Sequence, residues 1–353
     1  MLMQLTRHCG ALLMITALGA CASDAEGGEG GSSGTSEGDA GTNPSGNPTN
    51  PSDPTSDPTD DPTDDPTGSD APGTDDTSPS DETGDDTGPT GLEPLMPIVT
   101  GTCPEFVPGD ITFNPKGIEP RQAHIWMTDA AYDGGGRLQF YFHGTGGNPM
   151  EAEWGFNAYD TNNIDMVTAA GGIVVAPYND PATGTDPWWL TNGDRDDDLL
   201  LMDEIVACAV QEVGIDLHRI HSAGFSAGGL HTSKASYLRS VYLASVVIYS
   251  GGFVAPDYAP WDSEPDNKFA AMVMHGGDTD VYGGSVDFQE LSAYYVEQLL
   301  LTERLPIQCN HGTGHLIGPD QNFVHRFFDD HPWGSQAYAA GLPADFPAYC
   351  DLP

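Results

Sequence analysis

Residues 219–231 have the sequence RIHSAGFSAGGLH, which contains the pattern Gly-x-Ser-x-Gly at 224–228. An apolar segment, IHSAGF, precedes Ser226, and a segment with helical character, AGGLHTSKASYL, follows it. In a sharp turn from strand to helix, Gly224 and Gly228 leave out side chains that would collide, so the serine hydroxyl projects above the sheet edge. We therefore predict that Ser226 is a nucleophile; the alternative is an ordinary helix N-cap.

The same pattern occurs twice more, at 30–34 and 34–38, within a segment of very different composition. Residues 22–93 are rich in Gly, Ser, Thr, Pro and Asp, and carry 19 acidic residues and no Lys or Arg. Almost no large apolar side chains are available there to offset chain entropy, and the prolines block helices and sheet ladders. We predict a disordered acidic tether, in which neither pattern has a catalytic role.

The first 21 residues predict export. One Arg is followed by the ten-residue apolar run ALLMITALGA at 11–20, which is too short to span a bilayer as a stable helix. Small residues precede Cys21 directly, as in a bacterial lipoprotein signal peptide; the alternative is an ordinary cleaved secretory signal. We therefore expect a lipid anchor on Cys21 as the only membrane attachment, and a location at the cell surface, in the periplasm or outside the cell.

Four further cysteines, Cys103, Cys208, Cys309 and Cys350, belong to the part of the chain predicted to be exported. An even number of cysteines in an oxidising compartment predicts two disulfides, whose pairing the sequence leaves open. Their spacing matches no zinc-binding pattern. We predict neither a metal nor a cofactor.

Residues 94–353 are long enough for one large domain, which we expect to be monomeric. They contain 34 acidic and 10 basic residues, a formal net charge of −24 with neutral histidine. A surface that binds nucleic acid or an anionic membrane needs clustered Lys and Arg, so this charge argues against both partners.

Short apolar segments alternate with amphipathic segments through this domain. Buried strands are predicted at 137–142, 172–177, 219–224, 245–249, 269–274 and 305–309, with an edge strand near 123–128. Helices are predicted at 198–213, 226–239, 285–301 and 320–329, the first of them capped by the acidic residues 196–198. This alternation predicts an α/β fold, with a mostly parallel sheet and helices on both faces.

Two loops that follow predicted strands supply the remaining groups of a serine hydrolase. The loop HGGDTDV at 275–281 offers Asp278 or Asp280 as the acid, and we favour Asp280. The loop NHGTGH at 310–315 offers His311 or His315 as the base, and we favour His315. These loops share the sheet edge of Ser226, and the order Ser, Asp, His is that of α/β-hydrolases.

A glycine-rich loop, HGTGGN at 143–148, follows the first long strand. Backbone N–H groups of such a loop can approach a substrate closely and stabilise an oxyanion. We predict that Thr145 or Gly146 donates from this loop, together with the N–H of Ala227.

The loop HGTGG, the segment 196–229 and the loops HGGDTD and NHGTGH together resemble the secreted esterases that include polyhydroxybutyrate depolymerases, feruloyl esterases and acetylxylan esterases. The resemblance extends over about 121–330. It implies the α/β-hydrolase fold and an ester-cleaving triad of Ser226, Asp280 and His315 that needs no cofactor.

Two adjacent aromatic residues are the candidates for substrate recognition. Trp188 and Trp189 could form an aromatic wall for a sugar, a feruloyl group or a polyester chain. The predicted function is that of a surface-tethered serine esterase, which hydrolyses either a polyester such as polyhydroxybutyrate or feruloyl and acetyl esters of a polysaccharide. The alternatives are a serine peptidase of the same fold and an inactive surface binding module.

Overall fold

The structure is a computed structural model that describes residues 92–190, 195–254, 261–319 and 321–353. The predicted signal peptide with Cys21, and the predicted tether up to residue 91, lie outside the described residues.

Strands and helices alternate along the described chain. The strands are β1 (Gly109–Phe113), β2 (Arg121–Trp126), β3 (Leu138–Phe142), β4 (Ile173–Pro177), β5 (Ile220–Phe225), β6 (Ser245–Tyr249), β7 (Ala270–His275), β8 (Val281–Tyr282), β9 (Val286–Asp287), β10 (Leu305–Asn310) and β11 (Cys350–Asp351). The helices are α1 (Ala152–Phe156), α2 (Asn163–Ala169), α3 (Asp197–Glu212), α4 (Ala227–Leu238), α5 (Phe288–Leu301) and α6 (Asn322–Asp330). All six predicted buried strands and all four predicted helices are present, with bounds shifted by up to three residues.

Nine of these strands form one sheet in the order β1-β2-β4-β3-β5-β6-β7-β10-β11. The six from β4 to β10 in this order are parallel, and β1, β2 and β11 pair antiparallel at the edges. Strands β8 and β9 form a separate antiparallel pair. The predicted mostly parallel sheet is therefore confirmed.

Alternate residues of the parallel strands point into two separate cores. On one face, Phe140, Phe142 and Val246 pack with apolar residues of α3, α4 and α5. On the other face, Tyr141 and Val247 pack with apolar residues of α1, α2 and α6. Strands covered on both faces have few polar positions, which explains their nearly continuous apolar sequences.

Two disulfides join the four cysteines, as predicted, and the structure gives the pairing that the sequence left open. Cys103 is bonded to Cys208 in α3, which ties the segment before β1 to that helix. Cys309 is bonded to Cys350, the residue directly opposite it in the pair β10–β11.

The start of α3 differs from the prediction in one respect. Asp196 is the N-cap residue, but its side chain makes no capping hydrogen bond. Asp198 turns inward instead, and its carboxylate accepts hydrogen bonds from the Arg121 guanidinium at 3.1 Å and from the Trp189 backbone N–H at 2.6 Å. Asp198 therefore ties Trp189 and the start of α3 to β2, because the buried Arg121 is there to pair with it.

Candidate active site

Ser226 lies in the turn between β5 and α4, in a backbone conformation that non-glycine residues seldom adopt. Its φ is 56° and its ψ is −118°. The turn is held on both sides, since the Ser226 N–H donates to Tyr249 O and the Ser226 carbonyl accepts from the Leu230 N–H, both at 2.9 Å. Such strain persists only where the surroundings impose it, and it is characteristic of a nucleophile elbow.

The glycines on either side of Ser226 are required by close contacts. A Cβ atom on Gly224 would lie 2.3 Å from the Gly228 carbonyl oxygen, and one on Gly228 would lie 1.9 Å from the carbonyl oxygen of Phe142. Both contacts are with backbone atoms, so a side chain at either position would push α4 away from the sheet. The steric reason expected from the sequence pattern is thus present.

Three side chains from three loops form a chain of hydrogen bonds at this sheet edge. The Nε2 atom of His315 lies 3.0 Å from Ser226 Oγ, and its Nδ1 atom lies 2.7 Å from Asp280 Oδ1. With the imidazole proton on Nδ1, Nε2 is free to accept the serine proton. Asp280 is fully buried and Ser226 is 5% exposed, so water screens these contacts only weakly.

Aromatic rings restrict the orientation of His315. The ring of Phe288, at the start of α5, stacks on the imidazole with centroids 4.5 Å apart. Phe225, the residue before Ser226, lies 4.8 Å from it. Neither ring forms a hydrogen bond with the imidazole, so both nitrogens remain available to Ser226 and Asp280.

The second oxygen of Asp280 is also occupied. Oδ2 accepts hydrogen bonds from the Ser250 hydroxyl and from the Gly276 backbone N–H, each at 2.8 Å. Ser250 was not predicted as a site residue. The available signal was its position directly after β6, at the same sheet edge as the other loops.

The alternative acid and base lie elsewhere. Asp278 is exposed to solvent, on the short 3₁₀ turn Gly277–Thr279 that leads to Asp280. The Nδ1 atom of His311 lies 2.6 Å from the Thr313 hydroxyl within its own loop. Only Asp280 and His315 join the hydrogen-bonded chain that reaches Ser226.

The predicted oxyanion loop lies beside Ser226. A Cβ atom on Gly144 would be 3.2 Å from Ser226 Cβ. Thr145 and Gly146 form the exposed tip of the turn that follows, with φ 77° at Gly146. Ala227 is the first residue of α4, so its N–H has no acceptor within the helix. The oxyanion hole of Thr145 or Gly146 with Ala227 stays a prediction.

His143 braces the same loop. Its side chain is 2% exposed, and Nδ1 lies 2.9 Å from the Gly144 carbonyl oxygen. Burial lowers the pKa of His143, and the hydrogen bond opposes this shift only in part.

The two tryptophans occupy different environments, and Trp188 cannot contribute to the predicted aromatic wall. Trp188 is 1% exposed and packs on Phe142 and His143 in the core, so its ring cannot face a substrate. Trp189 is partly buried, and its indole N–H donates to Asp180 at 3.2 Å. An aromatic pair in a predicted loop gives no local sign that one of its rings is buried against β3.

Two absences concern only the residues that the structure describes. Among them, no group of three or more His, Cys, Asp or Glu side chains could hold a metal ion. Within the same ranges, no helix has the length and apolar character needed to cross a membrane.

No protein-family model matches the chain, and no curated protein matches it. Solved structures do. The structure of native sOPH has a TM-score of 0.55 and 18% identity, covering 71% of this chain and 96% of that one. That of native pOPH has a TM-score of 0.54 and 19% identity, with the same coverage. A structure of a ferulic acid esterase has a TM-score of 0.44 and 14% identity, covering 62% and 94%.

At these identities, the likeness to sOPH and pOPH bears on the fold alone. Together with the sheet order and the strand–elbow–helix at Ser226, it establishes the α/β-hydrolase fold that the sequence predicted.

Proposed function

We propose that the chain is a carboxylic-ester hydrolase that acts through Ser226, His315 and Asp280. The observation that carries the proposal is the hydrogen-bonded chain from Ser226 Oγ through the imidazole to a buried carboxylate, with distances of 3.0 Å and 2.7 Å. A serine in a strained elbow, a base and an orienting acid are the parts that nucleophilic acyl transfer requires.

In the proposed reaction, Ser226 Oγ attacks the ester carbonyl carbon while its proton passes to His315 Nε2. Asp280 stabilises the imidazolium through Nδ1–H. When the tetrahedral intermediate collapses, the ester C–O bond breaks and the imidazolium returns its proton to the leaving alcohol. Water, deprotonated by the same imidazole, then attacks the acyl carbon. The bond from that carbon to Ser226 Oγ breaks, the imidazolium returns its proton to Oγ, and the acid is released.

The negative charge on the carbonyl oxygen is assigned to backbone donors. We propose the N–H of Ala227 and that of Thr145 or Gly146 as the oxyanion hole. The N-terminal end of α4 adds a favourable dipole at the same point.

The charge of the domain favours neutral esters. In the described part of the chain, at least nine of the ten Lys and Arg of the domain have a carboxylate oxygen within 4 Å. Little positive charge is left to attract an anion, whereas an excess of carboxylates repels one. Polyesters such as polyhydroxybutyrate, and acetyl or feruloyl esters of neutral polysaccharides, meet this requirement.

We also propose that the domain is a monomer held at the cell surface by a lipid on Cys21, through the acidic tether of residues 22–93. The two disulfides support an oxidising location. Incorporation of radiolabelled palmitate in a bacterial host would test the anchor: the label should be lost in Cys21→Ala, and equal labelling of both proteins would exclude it.

The decisive assay compares the wild-type protein with Ser226→Ala on p-nitrophenyl butyrate, with labelling by a fluorophosphonate as a second measurement. We expect turnover and labelling of the wild type and neither in the variant. Equal background rates for the two proteins would exclude the enzyme and favour a surface binding module. Cleavage of peptide amides by the wild type that is lost in Ser226→Ala would instead indicate a peptidase.

A further inference from the structure

The peptide unit that joins His143 to Gly144 is held from both sides. Its carbonyl oxygen accepts a hydrogen bond from the Trp188 indole N–H at 2.8 Å. Its N–H, on Gly144, donates to Glu151 Oε1 at 2.9 Å. Because both groups belong to one planar amide, two bonds in opposite directions fix the rotation of that plane.

Glu151 is well placed to keep this contact. The Tyr141 hydroxyl donates to the same Oε1 atom at 3.2 Å, which orients the carboxylate. Burial raises the pKa of Glu151, and the hydrogen bonds from Gly144 and Tyr141 oppose that shift. A Cβ atom on Gly147 would lie 2.6 Å from Oε2, so the glycine makes room for the carboxylate.

Trp188 holds the carbonyl side of the His143–Gly144 peptide from within the core. Its ring packs edge-on against Phe142, the last residue of β3, with centroids 5.1 Å apart. A fully buried indole has little freedom to move, so its N–H is a fixed donor for the His143 carbonyl.

The held peptide lies directly before the predicted oxyanion donors. A Cβ atom on Gly144 would lie 3.2 Å from Ser226 Cβ, and the next two N–H groups along the chain are those of Thr145 and Gly146. A rotation of the His143–Gly144 plane would be transmitted to these N–H groups through a single residue. Small errors in the position of an oxyanion donor are costly, because the donor must meet the oxygen at hydrogen-bond distance.

We propose that Glu151 and Trp188 are positioning residues that hold the oxyanion loop in place opposite Ser226. The inference rests on the proposed hydrolase function. Neither residue is assigned contact with the substrate; each acts on the reaction through one peptide bond.

The test uses the full domain and measures kcat and KM separately on p-nitrophenyl butyrate. Glu151→Ala removes the acceptor, and we expect kcat to fall roughly tenfold or more while KM changes by less than about twofold. Glu151→Gln keeps an oxygen acceptor for the Gly144 N–H and should recover most of the loss. Trp188→Phe keeps an aromatic ring but loses the N–H, and kcat should fall by a similar factor.

Glu153→Ala is the matched control, because it removes an exposed carboxylate only two residues away, in α1. It should leave kcat and KM unchanged. Affinity for an alkyl boronic acid, which forms a tetrahedral adduct with the serine, should fall in parallel with kcat/KM in Glu151→Ala and Trp188→Phe. A purely structural role would instead lower the melting temperature without this parallel loss.

Three outcomes separate the possibilities. If Ser226→Ala abolishes turnover but Glu151→Ala and Trp188→Phe both keep the wild-type kcat, the inference is wrong and the proposed function stands. The inference is also wrong if the loss appears in KM, or if Glu151→Gln is as impaired as Glu151→Ala although both fold. If the wild type is no more active than Ser226→Ala, the proposed function is wrong and the inference falls with it.

Discussion

The Ser250 hydroxyl lies 2.8 Å from Oδ2 of Asp280, the carboxylate oxygen that His315 does not use. Ser250 follows β6, and β6 lies between β5 and β7, which lead to Ser226 and Asp280. The strand between the proposed nucleophile and the proposed acid therefore supplies the side chain that fixes the acid. Ser250 has a φ of 47°, so both serines at this edge adopt the left-handed region.

The first prediction concerns the choice of acid. Asp280→Asn should lower kcat on the order of 10⁴-fold, since the amide favours the wrong imidazole tautomer. Asp278→Asn should leave kcat within about twofold of the wild type, because that side chain is in solvent. Steady-state rates on one chromogenic ester suffice for the comparison. A large loss in Asp278→Asn alone would reverse the assignment.

The second prediction concerns Ser250. Ser250→Ala removes one hydrogen bond to a buried carboxylate, and we expect kcat to fall roughly five- to tenfold. Ser250→Gly removes the same hydroxyl but relieves the positive φ, so it should match the kcat of Ser250→Ala and melt at a higher temperature. Unchanged kcat in both variants would show that the Gly276 N–H is sufficient to hold Oδ2 of Asp280.

The third prediction concerns the disulfides. Replacing Cys103 and Cys208 with Ala opens a covalent loop with a sequence separation of 105 residues. The chain-entropy relation then gives a loss of about 4 to 5 kcal/mol in the free energy of unfolding. Urea denaturation should show this loss, and dithiothreitol should destabilise the wild type more than the variant. Equal sensitivity of the two proteins to the reductant would contradict the prediction.

The fourth prediction concerns stability in acid. Burial lowers the pKa of His331 to about 4, and that of His325 to about 3. The unfolded chain takes up a proton at each histidine near pH 6.5, and the folded chain does not. Each histidine therefore leaves the unfolding free energy unchanged above about pH 6.5. It lowers that free energy as the pH falls from there towards the pKa of the folded state.

The effect of His331 can be isolated by substitution. His331→Gln should reduce the drop in unfolding free energy between pH 7.0 and 5.5 by about 1 kcal/mol, measured by urea denaturation. His218→Gln, at a histidine that is 38% exposed, is the control for loss of an imidazole. A drop as steep in His331→Gln as in the wild type would contradict the assignment.

The sequence was sufficient to predict the fold, because the parallel strands are covered by helices on both faces. Their apolar runs are continuous and easy to locate, as 245–249 and 172–177 illustrate. Short elements were not predicted: β1, the pair β8–β9, β11, α1 and α2. Most of them are too short to show a periodic pattern, since β8, β9 and β11 have two residues each and α1 has five.

The residues of the candidate site fall into the same two groups, those with a local sequence pattern and those without one. Ser226 stands in a local pattern with a steric cause, and the order of the loops after β5, β7 and β10 suggested its partners. Ser250 and Glu151 were not predicted, because each acts through hydrogen bonds that no local sequence pattern reveals. Trp188 was placed on a surface, because an aromatic residue in a loop gives no local sign of burial.

The strand β11 has a consequence for producing the protein. It is the last strand of the sheet at that edge, only two residues long, and the Cys309–Cys350 bond joins it to β10. When that bond is absent, the outer N–H and C=O groups of β10 become an open template for another chain. Synthesis in a reducing cytoplasm would thus favour edge-to-edge association, whereas secretion into an oxidising compartment keeps β11 paired with Gln308 and Cys309.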